Sequence, residues 1–154
     1  MFSEEFKKAG AGLYVKMEAG DKEVGAFVGH PLEFMNSFKF KTEYPLGLAS
    51  YPDDARPQFK VNFVSKVDGK FIARVFRGNK KTSAAIDAVT NKFGADYLYE
   101  IACNSTGKKF NGHAVNDFAV LPERPITEDE KKELAKVELI DLSLRTNEPD
   151  TSDE

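Results

Sequence analysis

The clearest alternation of apolar and polar positions lies in the middle of the chain, over residues 58–77. It has two halves, with Phe59, Val61 and Phe63 on one side of the first and Phe71, Ala73 and Val75 on one side of the second. A period of two predicts β-strands with one buried face. The dipeptide Asp68-Gly69 between the halves is typical of a tight hairpin turn. These residues are therefore predicted to form a β-hairpin.

Weaker patterns predict the remaining elements. They give strands over residues 13–17, 24–28, 97–103 and 113–121, an extended segment over 32–41, a proline-rich loop over 44–57 and a polar loop over 104–109. A helix follows the hairpin, with Thr82 or Ser83 as its N-cap and Gly94 at its C-terminal end. Its apolar residues fall on one stripe at helical spacing.

The order of these elements predicts the fold class. Two strands, a long loop, a hairpin, a helix and two more strands is the element order of an OB-fold. We expect a mainly β protein with a five-stranded OB-fold barrel in residues 1–122 and a helix between strands 3 and 4. Thr127 and Glu130 have capping-box spacing, which predicts a C-terminal helix and extension over 123–146. Residues 147–154 are acidic and lack aromatic or large apolar side chains, which predicts a disordered tail.

Charge is distributed unevenly along the chain. The formal net charge is −3. Residues 123–154 hold eleven acidic and five basic side chains, a net of −6, whereas residues 58–92 hold eight basic and two acidic ones, a net of +6. A basic middle and an acidic end suggest an anionic partner for the middle. The alternative is an ordinary solvated surface followed by a disordered tail.

Catalytic and metal chemistry find little support in the sequence. His30 and His113 have no cysteine or carboxylate at metal-ligand spacing, and the single cysteine, Cys103, cannot build a zinc site. We therefore expect a protein that is not an enzyme and has no cofactor or metal. No apolar run reaches the roughly 18–20 residues of a membrane span, and the N-terminus lacks a signal-peptide pattern, so we expect a cytoplasmic protein.

Basic and aromatic side chains together suggest single-stranded nucleic acid as the anionic partner. Such strands are held by cations along their phosphates and by rings that stack on their bases. The candidate binding residues are Lys60, Lys66, Lys70, Arg74, Phe76, Arg77, Lys80, Lys81, Lys108, Lys109, Tyr44 and Tyr51.

Each group of candidates has a stated alternative. The hairpin cations are expected on an exposed face opposite its apolar residues, with Phe76 beside them as an exposed ring, unless Phe76 is core and the lysines are merely solvated. The lysine pairs at 80–81 and 108–109 are expected at a helix start and in a loop. A tyrosine in the long loop either stacks on a base or fixes the loop.

Several segments resemble the single-stranded-DNA-binding proteins of tailed phages, over about residues 24–142. They are Gly25-Ala26-Phe27-Val28-Gly29-His30-Pro31-Leu32-Glu33-Phe34, Phe59-Lys60-Val61-Asn62-Phe63-Val64, Arg74-Val75-Phe76-Arg77-Gly78, Ser105-Thr106-Gly107-Lys108 and Val120-Leu121-Pro122 with Pro125 and Thr127-Glu128-Asp129-Glu130.

The resemblance implies an OB-fold that coats single-stranded DNA during phage replication or recombination, in the host bacterial cytoplasm. The acidic tail would then offer a contact for replication or recombination proteins. A non-enzymatic OB module that binds a protein remains the alternative.

Overall fold

The structure is a computed structural model that describes residues 13–110 and 112–146. The predicted disordered tail, residues 147–154, lies outside the described residues.

The described chain is mainly β, as the sequence predicts. It forms six strands and two helices, in the order β1 (Lys22–Ser37), β2 (Thr42–Pro45), β3 (Arg56–Val67), β4 (Lys70–Asn79), α1 (Lys80–Phe93), β5 (Tyr97–Phe110), β6 (His113–Pro125) and α2 (Glu128–Ala135). All strands belong to one antiparallel sheet with the order β4-β3-β1-β5-β6, and β2 pairs with β1 beside this path. The predicted hairpin is β3–β4, with Val67 opposite Lys70.

Strand β1 organises the sheet because it pairs with three neighbours. Its first residues pair with β5, its last residues pair with β2, and β3 follows it on both sides of a register shift between Val28 and Leu32. The sequence suggested separate segments there because Pro31 has no N–H for a ladder. A β-bulge takes up the interruption, and Gly29 adopts a φ of +79° within it.

The described residues form two buried clusters, and the smaller one contains Ala26, Leu98 and Ile126. The larger cluster lies on one face of the sheet, here called the inner face, which carries Phe59, Val61 and Phe63 of β3. Phe76 of β4 and Ile101 of β5 complete this larger cluster. Helix α1 packs mainly against β6 and the end of β4, the two edge strands. The rings of Phe76 and Phe118, one from each edge strand, lie 5.3 Å apart at 90°. The two edges thus meet through side chains across the core.

The predicted five-stranded barrel differs from this arrangement in two respects. Within the described residues the sheet has six strands, and no ladder joins β4 to β6, so it is not closed. The extra strand is β2, whose second half overlaps the start of the predicted loop 44–57. The helix therefore follows the fourth strand rather than the third.

Both helices have the caps that their sequences favour, although α1 begins earlier than predicted. Asn79 is its N-cap, and the Asn79 Oδ1 atom accepts a hydrogen bond from the backbone N–H of Thr82 at 2.9 Å. Lys80 is therefore already helical. Gly94 closes α1 with a φ of +89°, as predicted. Helix α2 has the predicted capping box of Thr127 and Glu130.

Candidate nucleic-acid interface

The hairpin register places two predicted binding residues on the inner face. Phe76 lies opposite Val61 and Arg74 lies opposite Phe63. Phe76 is only 2 % exposed, so the prediction of an exposed ring is wrong. The Arg74 guanidinium forms an ion pair with Glu23 and donates a hydrogen bond to Ser65 Oγ at 3.0 Å, and burial lowers the pKa of this guanidinium. Arg74 therefore lies on the inner face with intramolecular partners, not on the exposed face where it was predicted.

Lys60 and Arg77 lie on the opposite face, called the outer face, but both are paired with Glu43. The Lys60 Nζ atom lies 2.6 Å from Glu43 Oε1, and an Arg77 nitrogen lies 2.5 Å from Glu43 Oε2. Lys60 is only 4 % exposed, so its predicted position on an exposed face is wrong. Burial opposes ionisation of Glu43, but hydrogen bonds from Lys60 and from the Arg145 backbone, with the Arg77 charge, hold the Glu43 pKa below its ordinary value.

Residues 137–146, here called the C-terminal strap, cover the outer face. The Asn62 side chain donates to the Ile140 carbonyl at 3.0 Å and accepts from the Ile140 N–H at 2.8 Å. Lys60 Nζ donates to the Ser143 carbonyl at 2.9 Å, and Glu43 exchanges two hydrogen bonds of 2.7 Å with the Arg145 backbone. The predicted exposed hairpin face is therefore wrong in its centre, because the chain's own C-terminal segment occupies it.

Four of the predicted lysines are exposed on the hairpin and on α1. Lys70 lies at the hairpin turn, and Lys66 lies on the same hairpin with its Nζ atom 3.8 Å from Glu130. Lys80 and Lys81 occupy the first turn of α1, and Lys81 Nζ lies 2.8 Å from an Asp117 oxygen. These cations are accessible but dispersed over the surface.

Tyr44 lies in β2 rather than in a loop as predicted, and it packs against Tyr51 of the loop that follows. Their rings lie 6.3 Å apart in an edge-to-face arrangement. The Tyr51 hydroxyl donates to the Pro45 carbonyl at 2.8 Å and accepts from the Leu48 N–H at 3.0 Å. Tyr51 was expected either to stack on a base or to fix the loop. The geometry favours the second alternative, because its ring and its hydroxyl both have intramolecular partners.

The densest combination of exposed rings and cations is a turn that was not among the predicted site residues. Residues 38–41, Phe38-Lys39-Phe40-Lys41, connect β1 to β2 and are called the 38–41 turn. Phe38 is 62 % exposed and Phe40 is 45 % exposed. The Lys39 Nζ atom lies 5.5 Å from the centre of the Phe40 ring. In the sequence these four residues alternate strictly between an aromatic and a basic side chain. The same alternation is typical of an amphipathic strand, so it did not identify a binding turn.

Hydrogen bonds from the neighbouring loop fix the backbone of this turn. Asp54 accepts from the Lys39 N–H at 2.8 Å and from the Ser37 hydroxyl at 2.7 Å, and these bonds lower the Asp54 pKa. The Phe40 N–H donates to Ser37 Oγ at 3.1 Å. The main chain of the turn is therefore held by Ser37 of β1 and by Asp54 of the loop before β3.

A second basic and aromatic group lies at the end of the β5–β6 hairpin, in residues 107–110 and 112–113, called the β5–β6 tip. Lys108 and Lys109 are exposed there as predicted, but they belong to a strand rather than a loop. The polar residues were predicted as a loop, but they form a bulge in the strand between Ser105 and Lys109. Gly107 lies in this bulge with a φ of +75°, and strand pairing continues after it. Phe110, which was not predicted, is 65 % exposed beside these lysines.

The two groups lie at opposite ends of β1. Ser37 pairs with Thr42 at the C-terminal end, next to the 38–41 turn. At the other end Lys22 pairs with Ala102, and β5 then continues beyond β1 to the β5–β6 tip. A ligand that touches both would have to extend along the sheet.

Within the described residues, no group of three or more histidine, cysteine, aspartate or glutamate side chains has the geometry to hold a metal ion. No described helix is long and apolar enough to cross a membrane. Comparison with protein-family models, with curated proteins and with solved structures finds no match to this chain.

Proposed function

We propose that this protein binds single-stranded DNA with little dependence on sequence, and that the 38–41 turn is its principal contact. The observation that carries the proposal is the pair of exposed rings, Phe38 and Phe40, alternating with Lys39 and Lys41 on a fixed backbone. Every base has a π-face on which a ring can stack, so such a site tolerates any sequence. The lysines supply the charge that neighbouring phosphates require.

An open variant of the OB-fold is the fold that agrees best with the strand pairing. Apart from β2, the chain pairs as a meander of β1, β3 and β4, followed by α1 and by β5–β6, with β5 returning to β1. In OB-folds the loops after the first and the fourth strand contact oligonucleotides. The corresponding positions here are the 38–41 turn and the β5–β6 tip, which carry the most exposed rings of the described chain.

The biological role proposed with this activity is protection of single strands during phage replication or recombination. It rests on the resemblance to phage single-stranded-DNA-binding proteins. The acidic C-terminal end is proposed to contact replication or recombination proteins.

A protein-binding module is the second candidate, and one observation favours it. Leu46 and Leu48 are also exposed, in the loop that follows β2. Phe38 and Phe40 precede β2 and these leucines follow it, so exposed apolar side chains flank β2 on both sides, and exposed apolar surface is typical of protein-binding sites.

A titration with fluorescent oligonucleotides tests the proposal. Single-stranded DNA, duplex DNA and single-stranded RNA of equal length are compared at low and moderate salt. We expect single-stranded DNA to bind more tightly than duplex, with affinity falling as salt rises. Absence of binding to any single strand at low salt would contradict DNA binding and favour the protein-binding candidate.

A further inference from the structure

Three exposed apolar side chains, Leu13, Val67 and Ile72, lie together at the hairpin-turn end of the inner face. Ile72 pairs with Ser65, two residues before Val67, so Val67 and Ile72 are diagonal neighbours on one face of the hairpin. This face is the inner one, because Ile72 precedes the buried Phe76 by four residues and side chains alternate along a strand. The three residues are called the inner-face patch.

Leu13 belongs to the patch because the start of the described chain pairs with the edge of β4 that faces away from β3. The Val75 N–H donates to the Leu13 carbonyl at 2.7 Å, and the Val15 N–H donates to the Val75 carbonyl at 2.9 Å. These bonds form a parallel bridge between Tyr14 and Val75. Val15 packs against the larger buried cluster, so Leu13, two residues earlier, lies on the same inner face. The patch therefore continues the core toward the hairpin turn.

The described residues leave this end of the core uncovered. Helix α1 packs mainly against β6 and against the end of β4 that leads into it, away from the hairpin turn. Arg74 lies on the inner face between Ile72 and Phe76, and its buried Nε atom has no hydrogen-bond partner within the described residues. Because a buried donor without a partner is uncommon, this atom indicates a group that the described residues do not supply.

We propose that residues 1–12 of the same chain dock on the inner-face patch and cover this end of the core. These residues join the described chain at Leu13, which is itself part of the patch. They include two aromatic side chains, Phe2 and Phe6. The two rings would remove the patch from solvent, which is the favourable direction for apolar surface.

Length and charge both agree with this occupant. Twelve residues reach up to roughly 40 Å when extended. The patch crosses only three neighbouring extended segments, which lie roughly 5 Å apart, so both rings can reach it. Lys70 lies opposite Val67 at the turn end of the patch and has no ion pair within the described residues. It is therefore available to the acidic pair Glu4-Glu5, which lies between the two phenylalanines.

A covered patch would also protect the open edge of β4. The N–H and C=O groups of Phe71 and Ala73 point to the same edge as those of Val75, because these groups alternate in direction along an antiparallel strand. An open edge beside exposed apolar side chains favours pairing with another chain. Docking of residues 1–12 would oppose such association.

Disulfide formation in the full-length protein tests the contact. Glu5→Cys with Lys70→Cys leaves the rings and the patch unchanged, and the native Cys103 is buried. We expect this pair to form an intramolecular disulfide at least about tenfold faster than Glu5→Cys with Lys132→Cys, because docking raises the effective concentration of the first two thiols. Lys132 is an exposed control position on α2. Equal rates in the two variants would overturn the proposal.

Amide chemical shifts supply an independent test with a matched control. Phe2→Ser with Phe6→Ser should shift the amide signals of the two hairpin residues of the patch, because the rings no longer cover them. Lys7→Ser with Lys8→Ser changes the same segment without removing a ring and should leave those signals in place. Unchanged signals in the phenylalanine variant would contradict the docking.

A second copy of the chain is the other candidate occupant of the patch, and light scattering distinguishes it. Association that appears only in Phe2→Ser with Phe6→Ser would support docking of residues 1–12, because the patch and the edge of β4 are then uncovered. Association of the full-length protein that Ile72→Ser abolishes would assign the patch to a second copy and overturn the proposal. Disulfides between chains, rather than within one chain, in Glu5→Cys with Lys70→Cys would overturn it as well.

Discussion

At the scale of single residues, Lys60 illustrates how a cation can be unavailable to a ligand. Its ammonium is enclosed by Glu43, the Ser143 carbonyl and the Phe34 ring, whose centre lies 5.3 Å away. Glu43 is fully buried and depends on this charge. Removal of one member of a buried ion pair is costly because it leaves the other charge uncompensated.

We therefore expect Lys60→Met to lower the free energy of unfolding by about 3 kcal/mol. The affinity of the folded variant for single-stranded DNA should not change. Lys70→Met, at the exposed hairpin turn, is the control and should alter stability little. Denaturant unfolding and a DNA titration check both statements. A stable Lys60→Met variant with weakened DNA binding would contradict this account and indicate that Lys60 contacts DNA.

Glu130 gives stability a dependence on pH. Its carboxylate accepts two hydrogen bonds from Arg124, at 2.7 and 2.8 Å, and one from the Thr127 N–H at 3.0 Å. These bonds, led by those from Arg124, lower the pKa of Glu130 from 4.5 to about 2. Because the folded pKa lies below the unfolded one, the stabilisation is complete above the ordinary glutamate pKa and is lost as pH falls toward 2.

Glu130→Gln should then lower the free energy of unfolding at pH 7 by about 2 kcal/mol, a value reduced for solvent screening of the partly exposed Arg124. The difference from wild type should shrink as pH falls below about 4.5. Denaturant unfolding at pH 7 and pH 3 measures it, with Glu133→Gln as an exposed control on the same helix. A constant difference at both pH values would refute the linkage.

At the scale of elements, the C-terminal strap replaces solvent on the outer face of β3. Its hydrogen bonds satisfy the Asn62 amide and the buried Glu43 carboxylate. A chain that ends at Lys136 would leave these groups without their partners, and each unsatisfied buried group costs roughly 1–3 kcal/mol.

Truncation after Lys136 should therefore destabilise the fold by at least about 2 kcal/mol. Truncation after Thr146 keeps the strap and should have nearly wild-type stability. Thermal or denaturant unfolding of the two truncated chains makes the comparison. Equal stabilities would mean that the strap contributes nothing to the fold.

The same elements show how much the sequence could predict. Alternation and turn chemistry identified the β3–β4 hairpin. The apolar stripe with Gly94 identified α1, although not its N-cap, and the capping box identified α2. The error at Phe76 was avoidable, because a two-residue turn at Asp68-Gly69 pairs Val67 with Lys70 and hence Val61 with Phe76. Because opposite residues share a face, Phe76 had to lie with the core residues.

Other features could not be predicted because they depend on contacts distant in sequence. The strap covers β3 through hydrogen bonds between Asn62 and Ile140. These residues are 78 positions apart, and no local sequence pattern predicts such a pairing. Burial of Lys60 likewise requires Glu43, which lies in a strand that the prolines around it argued against. The alternating rings and lysines of the 38–41 turn were visible in the sequence, but the same pattern is compatible with a strand.

At the scale of the whole molecule, charge is divided between a basic body and an acidic C-terminal end. Residues 147–154 contain four acidic side chains and no basic ones. A tethered anionic segment competes with DNA at high effective concentration for the same cations. Salt weakens that competition by screening.

Truncation after Thr146 should thus tighten binding of single-stranded DNA, more at low salt than at moderate salt. The comparison of full-length and truncated chains at two salt concentrations is direct, since the strap is kept in both. Equal affinities at low salt would exclude competition by the acidic end.

The central claim is that the 38–41 turn contacts both bases and phosphates, and the salt dependence of binding by two double variants tests it most directly. Phe38→Ala with Phe40→Ala should weaken binding at least about 30-fold and leave the salt dependence unchanged, because stacking on a base contributes about 1–3 kcal/mol. Lys39→Ala with Lys41→Ala should reduce the slope of log K against log salt by about 1.4, the value for two lost phosphate contacts.

Controls of matching chemistry accompany both variants in the same titrations: Leu121→Ala for an exposed apolar side chain, and Lys132→Ala with Lys136→Ala for two exposed lysines. The controls should bind like wild type with an unchanged slope. Wild-type affinity in the phenylalanine variant, together with an unchanged slope in the lysine variant, would contradict the account.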